Sequence, residues 1–86
     1  MQFKGTPQQW RKVVEGVESL PKPICWSRDQ SGEFRAETTD HRVSIDWWPS
    51  TGTVTTITVG LSYQERSNLL NTLVHNINNA VFETEP

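Results

Sequence analysis

The side chains best suited to catalysis in this chain are two histidines and one cysteine. His41 falls in a Thr-Asp-His turn and His75 on the polar side of the last predicted helix, so both are expected to be surface groups. No adjacent base or helix start would activate Cys25 as a nucleophile. The Ser-Thr-Gly-Thr stretch at 50–53 lacks the lysine and the following helix of a phosphate-binding loop. The sequence therefore predicts a protein that is not an enzyme.

A series of carboxylates in the centre of the chain has the chemistry to bind a divalent cation. Arginines at similar spacing favour charge pairing between neighbouring strands instead. The carboxylates are Glu33, Glu37, Asp40 and Asp46, and the arginines are Arg28, Arg35 and Arg42. No set of cysteines and histidines has the spacing of metal ligands. We therefore predict neither a metal site nor a cofactor.

Two adjacent tryptophans, Trp47 and Trp48, end a stretch in which apolar and polar residues alternate as in a strand. Successive strand residues point to opposite faces, so one indole must face the core and the other the solvent. A three-residue loop at 50–52, with Gly52 in the left-handed conformation, would pair Trp48 with Val54. This register puts the apolar residues of both strands on the core face, namely Val43, Ile45, Trp47, Ile57 and Val59. A slip by one residue would leave Ile57 and Val59 outside.

Trp48 is therefore predicted on the outer face of the sheet. There it either stabilises the hairpin through its cross-strand pair with Val54 or serves as the anchor of an interface. The candidate binding residues are those predicted at this face: Trp48, Val54, Arg35, Arg42, Asp46 and Thr56.

Two amphipathic helices and four strands are predicted to position these residues. The first helix covers about 6–20 and the last about 62–82, each opened by a capping box, Thr6 with Gln9 and Ser62 with Glu65. Apolar residues at a period of two, interrupted by turn signals, predict strands at about 24–29, 33–39, 42–48 and 53–59. A loop at 30–32 would pair Trp26 with Ala36. The apolar stripe of the last helix consists of Leu69, Leu70, Leu73, Val74, Ile77, Ala80 and Val81.

Consecutive strands between two terminal helices predict an α+β fold of order α-β-β-β-β-α. The expected architecture is a single domain, residues 1–86, in which a four-stranded antiparallel sheet carries both helices on one face. A chain of 86 residues is long enough for one small hydrophobic core.

Net charge and composition narrow the classes of partner. The net charge of −2 argues against the basic excess that drives non-specific binding to nucleic acids or membrane surfaces. No apolar run approaches the roughly 20 residues that cross a bilayer, and the start lacks a signal-peptide core. The single cysteine fits a reducing compartment. We therefore expect a cytoplasmic protein without membrane contact.

The stretch HRVSIDWWPSTGTVTTITVG, residues 41–60, resembles the strand-turn-strand of the TATA-binding-protein-like substrate-binding module of bacterial type-3 ribonucleases H. That module also consists of a helix, antiparallel strands and a second helix. Its hairpin has a Ser-Gly turn after an aromatic residue, and Trp48 and Gly52 occupy the corresponding positions here. Thr53 stands where a basic residue would be expected. The resemblance covers residues 6–81 and implies binding of a hybrid duplex or a single strand at Trp48 and Arg42.

Three functions are consistent with these patterns. The preferred prediction is a non-enzymatic interaction protein that binds a macromolecule, first of all a protein, through the outer sheet face. Its narrower form is a mobile-element inhibitor, such as a phage protein acting on a host or defence complex, for which the sequence has no motif. One alternative is a module for single-stranded or RNA–DNA hybrid nucleic acid that uses Arg35, Arg42 and Trp48. The other is a homodimer formed through the edge strand or the outer face.

Overall fold

The computed structural model describes residues 1–83 of the chain, in which two helices flank a run of four strands. The strands form one antiparallel sheet in the order β1-β2-β3-β4, and buried residues of both helices join the core on one of its faces. This confirms the predicted α+β fold. The elements are α1 (Pro7–Glu15), β1 (Ile24–Arg28), β2 (Phe34–Thr38), β3 (Val43–Trp48), β4 (Thr53–Thr58) and α2 (Tyr63–Glu83).

The first hairpin, β1–β2, has the predicted register. Trp26 lies opposite Ala36. The N–H of Asp29 donates to the carbonyl of Glu33 at 2.8 Å, which leaves a three-residue loop at 30–32. Gly32 in that loop has a φ of 92°, a conformation that glycine adopts without steric penalty.

The register of the second hairpin, β3–β4, differs from the prediction by one residue. Trp48 lies opposite Thr53, and Trp47 lies opposite Val54. Side chains alternate between the faces of a strand, so this slip exchanges the two faces of β4 relative to the prediction. The predicted pairing of Trp48 with Val54 is therefore wrong.

The loop explains the slip. It spans 49–52 and includes Pro49, which has no N–H to donate to a neighbouring strand and a φ suited to a turn. The carbonyl of Trp48 accepts the N–H of Thr51 at 3.3 Å and that of Gly52 at 2.7 Å. Gly52 has the predicted left-handed conformation, with a φ of 78°.

An extended segment at the N-terminus, which the sequence analysis did not predict, lies beside β4. Gln2 forms a bridge with Thr53, and the N–H of Val54 donates to the carbonyl of Met1 at 2.9 Å. This pairing brings the side chain of Phe3 into the core, where it is 1% exposed. The N-terminal segment thus helps to hold β4 in its register.

Trp47 lies at the centre of an aromatic cluster on the helix side of the sheet. Its ring centroid is 5.4 Å from those of Phe3 and Trp10 and 5.6 Å from that of Phe34. The indole N–H of Trp47 donates to the carbonyl of Phe3 at 2.9 Å, so its polar atom is satisfied inside the core. Helix α2 adds Leu69, Leu73 and Ile77 to this core.

Both helices begin at the predicted capping boxes, but α1 is shorter than expected. It ends at Glu15, with Gly16 as its C-cap, and the buried residues Val17 and Leu20 follow in turns. On α2, Val74 is exposed, contrary to the predicted stripe. The side chains of the two last stripe residues lie outside the described part of the chain, namely those of Ala80 and Val81.

Candidate functional site

The sheet face opposite the helices, called the outer face below, is the candidate site. Most of its side chains on β1 and β4 are exposed, whereas the centre of β3 is covered by its neighbours. Alternation along the strands and the observed registers assign it the following residues: Cys25, Ser27, Arg35, Glu37, Ser44, Asp46, Trp48, Thr53, Thr55 and Ile57.

Asp46 is a buried carboxylate at the centre of the outer face. Its residue is 2% exposed, although no helix residue of the core cluster lies on this side. Arg35, directly opposite on β2, donates from Nε to Asp46 Oδ1 at 2.9 Å, and the hydroxyl of Ser44 lies 3.3 Å from the same oxygen. A buried charge needs such partners, because removing it from water is costly. The predicted cross-strand charge pairing is confirmed for Arg35 and Asp46.

Glu33 adds a second carboxyl group to this cluster. Its Oε1 lies 3.4 Å from Arg35 Nη2, and its side chain is 12% exposed. Burial raises the pKa of Glu33 above its ordinary value, and the neighbouring Asp46, as the acceptor of a hydrogen bond from protonated Glu33 and as a like charge, raises this pKa further. The group is therefore a carboxyl pair held by one guanidinium, which we call the Glu33–Arg35–Asp46 cluster.

Trp48 lies on the outer face, two positions beyond Asp46 on β3. It is half-buried, while its neighbour Trp47 on the opposite face is fully buried. Opposite it stands Thr53 rather than the predicted Val54. The predicted pair of Trp48 with Val54 therefore does not form. Trp48 lies between the Glu33–Arg35–Asp46 cluster and Thr53.

Two of the predicted binding residues are on the wrong face. Val54 is 4% exposed and belongs to the hydrophobic core, and Thr56 lies on the same helix side of β4. Both errors follow from the slip of one residue, because a strand that shifts by one position turns every side chain over. Neither residue is available at the outer face.

Arg42 is exposed but distant from the other candidates. It precedes β3, six positions from Trp48, which corresponds to about 20 Å along an extended chain. Its guanidinium donates to the backbone carbonyls of Val59 and Gly60 at the end of β4. The structure thus brings together Trp48, Arg35 and Asp46, and leaves Arg42 at the other end of the sheet.

The predicted outer face lacked Thr53, Thr55 and Ile57 of β4, and the predicted binding residues did not include Glu33. Ile57 is 53% exposed on β4, and Glu33 completes the carboxyl cluster beside β2. Glu33 is two positions before Arg35 and so shares its face, which alternation alone could have indicated. If Pro49 had been assigned to the loop, alternation along β4 would have placed Ile57 on the outer face.

Acidic groups predominate on the outer face, while two arginines lie on the helix side. Near Trp48, among the described residues, Glu33, Glu37 and Asp46 outnumber the cation Arg35, while Arg42 lies at the other end of the sheet. On the opposite side, the guanidinium of Arg11 lies 5.0 Å from the ring centroid of Trp26, and that of Arg28 lies 5.1 Å from that of Phe34. Formal negative charge therefore predominates near Trp48 among the described residues, although Asp46 is buried and paired with Arg35.

The groups considered for catalysis do not form a catalytic arrangement in the described residues. His41 Nδ1 lies 3.5 Å from Glu37 Oε1 in an exposed turn, and His75 Nε2 lies 3.0 Å from Asn79 Nδ2. Cys25 is exposed opposite Glu37, and no hydrogen bond joins it to a base within residues 1–83. In the same range, no cluster of three or more histidine, cysteine or acidic side chains is arranged to hold a metal ion.

Comparison with known proteins gives no family for this chain. No family model matches it, and neither a curated protein nor a solved structure matches it significantly. The resemblance of the 41–60 hairpin to the ribonuclease H module therefore stays a prediction. Within residues 1–83, none of the helices is both long and apolar enough to cross a membrane.

Proposed function

We propose that this protein is a non-enzymatic interaction protein that binds another protein through the outer face around Trp48. The observation that carries this proposal is the position of Trp48. It is a partly exposed indole on the sheet face that the helices leave free, beside the Glu33–Arg35–Asp46 cluster. An aromatic residue of this kind can bury a large area at low entropic cost, as interface anchors do.

Rigidity of the surroundings supports the role of Trp48 as an anchor. It belongs to β3, a central strand paired on both sides, and the ion pair at Asp46 ties β3 to β2 on the same face. The backbone that carries Trp48 is therefore ordered before binding, which lowers the entropic cost of docking. The partner can therefore dock on a surface that is already formed.

The charge of the outer face supports a proposal for the chemistry of the partner. Asp46 and Glu33 are mostly buried and paired with Arg35, so Glu37, whose side chain is 36% exposed, is the carboxylate of this face that can meet a lysine or arginine side chain. We propose a partner that covers Trp48 with an apolar or aromatic contact and places a basic residue near Glu37. The narrower proposal, an inhibitor of mobile-element (phage) origin that acts in the cytoplasm on a host or defence complex, is consistent with this chemistry.

Capture of partners by matched variants tests the proposal. Trp48→Ala removes the anchor, and Tyr63→Ala removes an aromatic residue that is 86% exposed at the start of α2. We expect the wild type and Tyr63→Ala to capture the same protein from an extract, and Trp48→Ala to lose it. Glu37→Lys should slow association with the purified partner, because rim charges act mainly on the association rate.

Folding must be verified for each variant by circular dichroism and thermal denaturation. If folded Trp48→Ala captures the partner as well as the wild type does, the outer face around Trp48 is not the binding surface. Equal loss in the Tyr63→Ala variant would likewise contradict the assignment.

A nucleic-acid-binding module is the second candidate, because Arg35 keeps 46% of its side chain exposed on the face of Trp48. Arginine beside an aromatic ring is a common platform for stacking a base and pairing a phosphate. Titration with labelled single-stranded DNA and RNA–DNA hybrid at low salt tests it. Binding that disappears in Trp48→Ala would favour this candidate, and absence of binding at low ionic strength would eliminate it.

A further inference from the structure

Strand β4 is one edge of the sheet, and most of this edge has no neighbour among residues 1–83. The order β1-β2-β3-β4 leaves one side of β4 free, and the N-terminal segment covers only its start, at Thr53 and Val54. An uncovered edge is a template for another strand, because its backbone groups are already aligned for pairing.

The free backbone groups of β4 can be identified from the observed hydrogen bonds. The N–H of Val54 points outward to the carbonyl of Met1, whereas the N–H of Val59 points inward to the carbonyl of Arg42. Backbone groups alternate in direction along an antiparallel strand. The N–H and C=O groups of Thr56 and Thr58 must therefore point away from the sheet.

The side chains of this edge are unusual for an unprotected strand. Natural edges are commonly blocked by charged residues or proline, and β4, Thr53–Thr58, contains neither. Instead Ile57 is 53% exposed and Val59 is 61% exposed, both on the outer side. Two exposed aliphatic residues at an open edge are typical of a surface that another molecule covers.

We propose that a second copy of this chain pairs with β4 in antiparallel orientation, with Ile57 at the two-fold axis. In this register Thr56 exchanges both backbone hydrogen bonds with Thr58 of the second copy, and each Ile57 faces its counterpart. A two-fold interface must be complementary to itself, and the spacing of the outward groups at 56 and 58 satisfies this condition.

The absence of charge on β4 and the orientation of the N-terminal segment favour a second copy of the chain as the strand that pairs with this edge. No charged side chain lies between Thr53 and Val59, so two copies meet without repulsion. The N-terminal segment already pairs antiparallel with β4 at Thr53, which indicates that this edge accepts a strand in the required orientation. Because this segment occupies Val54, pairing of the second copy is confined to 55–59. The resulting eight-stranded sheet would present two outer faces side by side, independently of the proposed docking at Trp48.

Site-directed cross-linking tests the register. In an antiparallel pair that is not hydrogen-bonded, Cα atoms are about 4.5 Å apart, within the range that a disulfide spans. Ile57→Cys in a Cys25→Ser background should therefore form a covalent dimer rapidly on mild oxidation. Thr55→Cys in the same background is the control, because Thr55 lies on the same face of β4 but opposite Val59 of the second copy. Equal cross-linking of the two variants would overturn the proposed register.

Light scattering over a range of concentrations tests the dimer itself. We expect the wild type to change from monomer to twice that mass, and Ile57→Lys to raise the dissociation constant at least about tenfold, because like charges would meet at the axis. A wild type that stays monomeric at millimolar concentration overturns the proposal. So does a folded Ile57→Lys variant that dimerises as the wild type does. Loss of partner capture in Trp48→Ala concerns the outer face at β3, not the backbone edge of β4, and leaves these results unchanged.

Discussion

At the scale of single residues, Trp47 and Trp48 have the same side chain but opposite environments. Trp47 is fully buried, packed against Phe3 and Trp10, and hydrogen-bonded through its indole N–H. Trp48 is half-buried on the outer face. The strand places these two indoles on opposite faces of the sheet, so Trp47 packs in the core and Trp48 stays partly exposed to solvent.

Stability measurements on the two tryptophan variants test this division. Trp47→Ala should lower the free energy of unfolding by about 3–5 kcal/mol, as for other large aromatic residues truncated in cores. Trp48→Ala should lower it by less than about 1.5 kcal/mol, because the side chain is only partly buried. Urea denaturation followed by circular dichroism measures both. Equal losses would mean that Trp48 is a core residue, and the proposed binding face would fail.

Part of the site was predictable from residue types alone. The ion pair of Arg35 with Asp46 follows from alternating charges on neighbouring strands, and the outward direction of Trp48 follows from the strand period. The burial of Asp46 does not follow from either pattern. It depends on how side chains of neighbouring strands cover the centre of the outer face, which only the packed structure reveals.

At the scale of elements, the register of β3–β4 decides which residues reach the core. The alternation of apolar residues favoured a register with Ile57 inside, but the observed one buries Val54 and exposes Ile57. Periodicity alone could not resolve this choice, because β4 has valine and isoleucine at positions of opposite parity. The turn chemistry of Pro49 and the pairing of the N-terminal segment decided it.

A matched pair of threonine substitutions tests the register. Val54→Thr places a hydroxyl group in the hydrophobic core and should lower the free energy of unfolding by about 1–3 kcal/mol. Ile57→Thr changes an exposed position and should stay within about 0.5 kcal/mol of the wild type. The comparison is made by denaturant unfolding at a concentration where the protein is monomeric. The reverse order of the two effects would favour the register predicted from the sequence.

Among the elements, the helix starts were the most predictable and the N-terminal segment the least. Each helix start has a local signature, in which Thr6 with Gln9 and Ser62 with Glu65 bond each other's backbone. The segment around Phe3 has too few residues for a periodic pattern. Its position depends on a distant contact with Gly52 and Trp47, which no local rule encodes.

The N-terminal segment is expected to be essential for stability despite its short length. Phe3→Ala should lower the free energy of unfolding by about 3–5 kcal/mol, since a buried ring at the aromatic cluster is removed. Met1→Ala is the control, because that side chain is 45% exposed and its role in pairing uses only the backbone. Thermal unfolding distinguishes them. A negligible effect of Phe3→Ala would show that β4 holds its register without this segment.

At the scale of the whole molecule, the carboxylates act on stability in two opposite directions. Asp29, Asp40 and Glu65 have pKa values below their ordinary ones, chiefly because hydroxyl or backbone groups donate hydrogen bonds to them. A lowered pKa gives stability that is lost as the pH falls through the folded-state value. Glu33 has a raised pKa, so it acts in the other direction and at higher pH.

The pH dependence of stability gives a test of the Glu33–Arg35–Asp46 cluster. Because burial and Asp46 raise the pKa of Glu33, the folded state holds its proton more tightly than the unfolded chain does. Stability must then fall as the pH rises from the ordinary value of 4.5 through the folded-state pKa. Glu33→Gln mimics the protonated carboxyl group and should remove this fall, so that its melting temperature gains on the wild type above that pH.

Melting temperatures from pH 4 to pH 8, measured for the wild type, Glu33→Gln and Glu37→Gln, provide the comparison. Glu37 shares the outer face but lies outside the cluster, so its variant should retain the slope of the wild type. The three acids with lowered pKa values are present in every variant, and their contribution cancels in the difference between the curves. Parallel curves for the wild type and Glu33→Gln would contradict the raised pKa of Glu33. Glu33 would then ionise at the same pH in the folded and the unfolded chain, near the ordinary value of 4.5, and above that pH its protonation would not weaken the binding of basic partners.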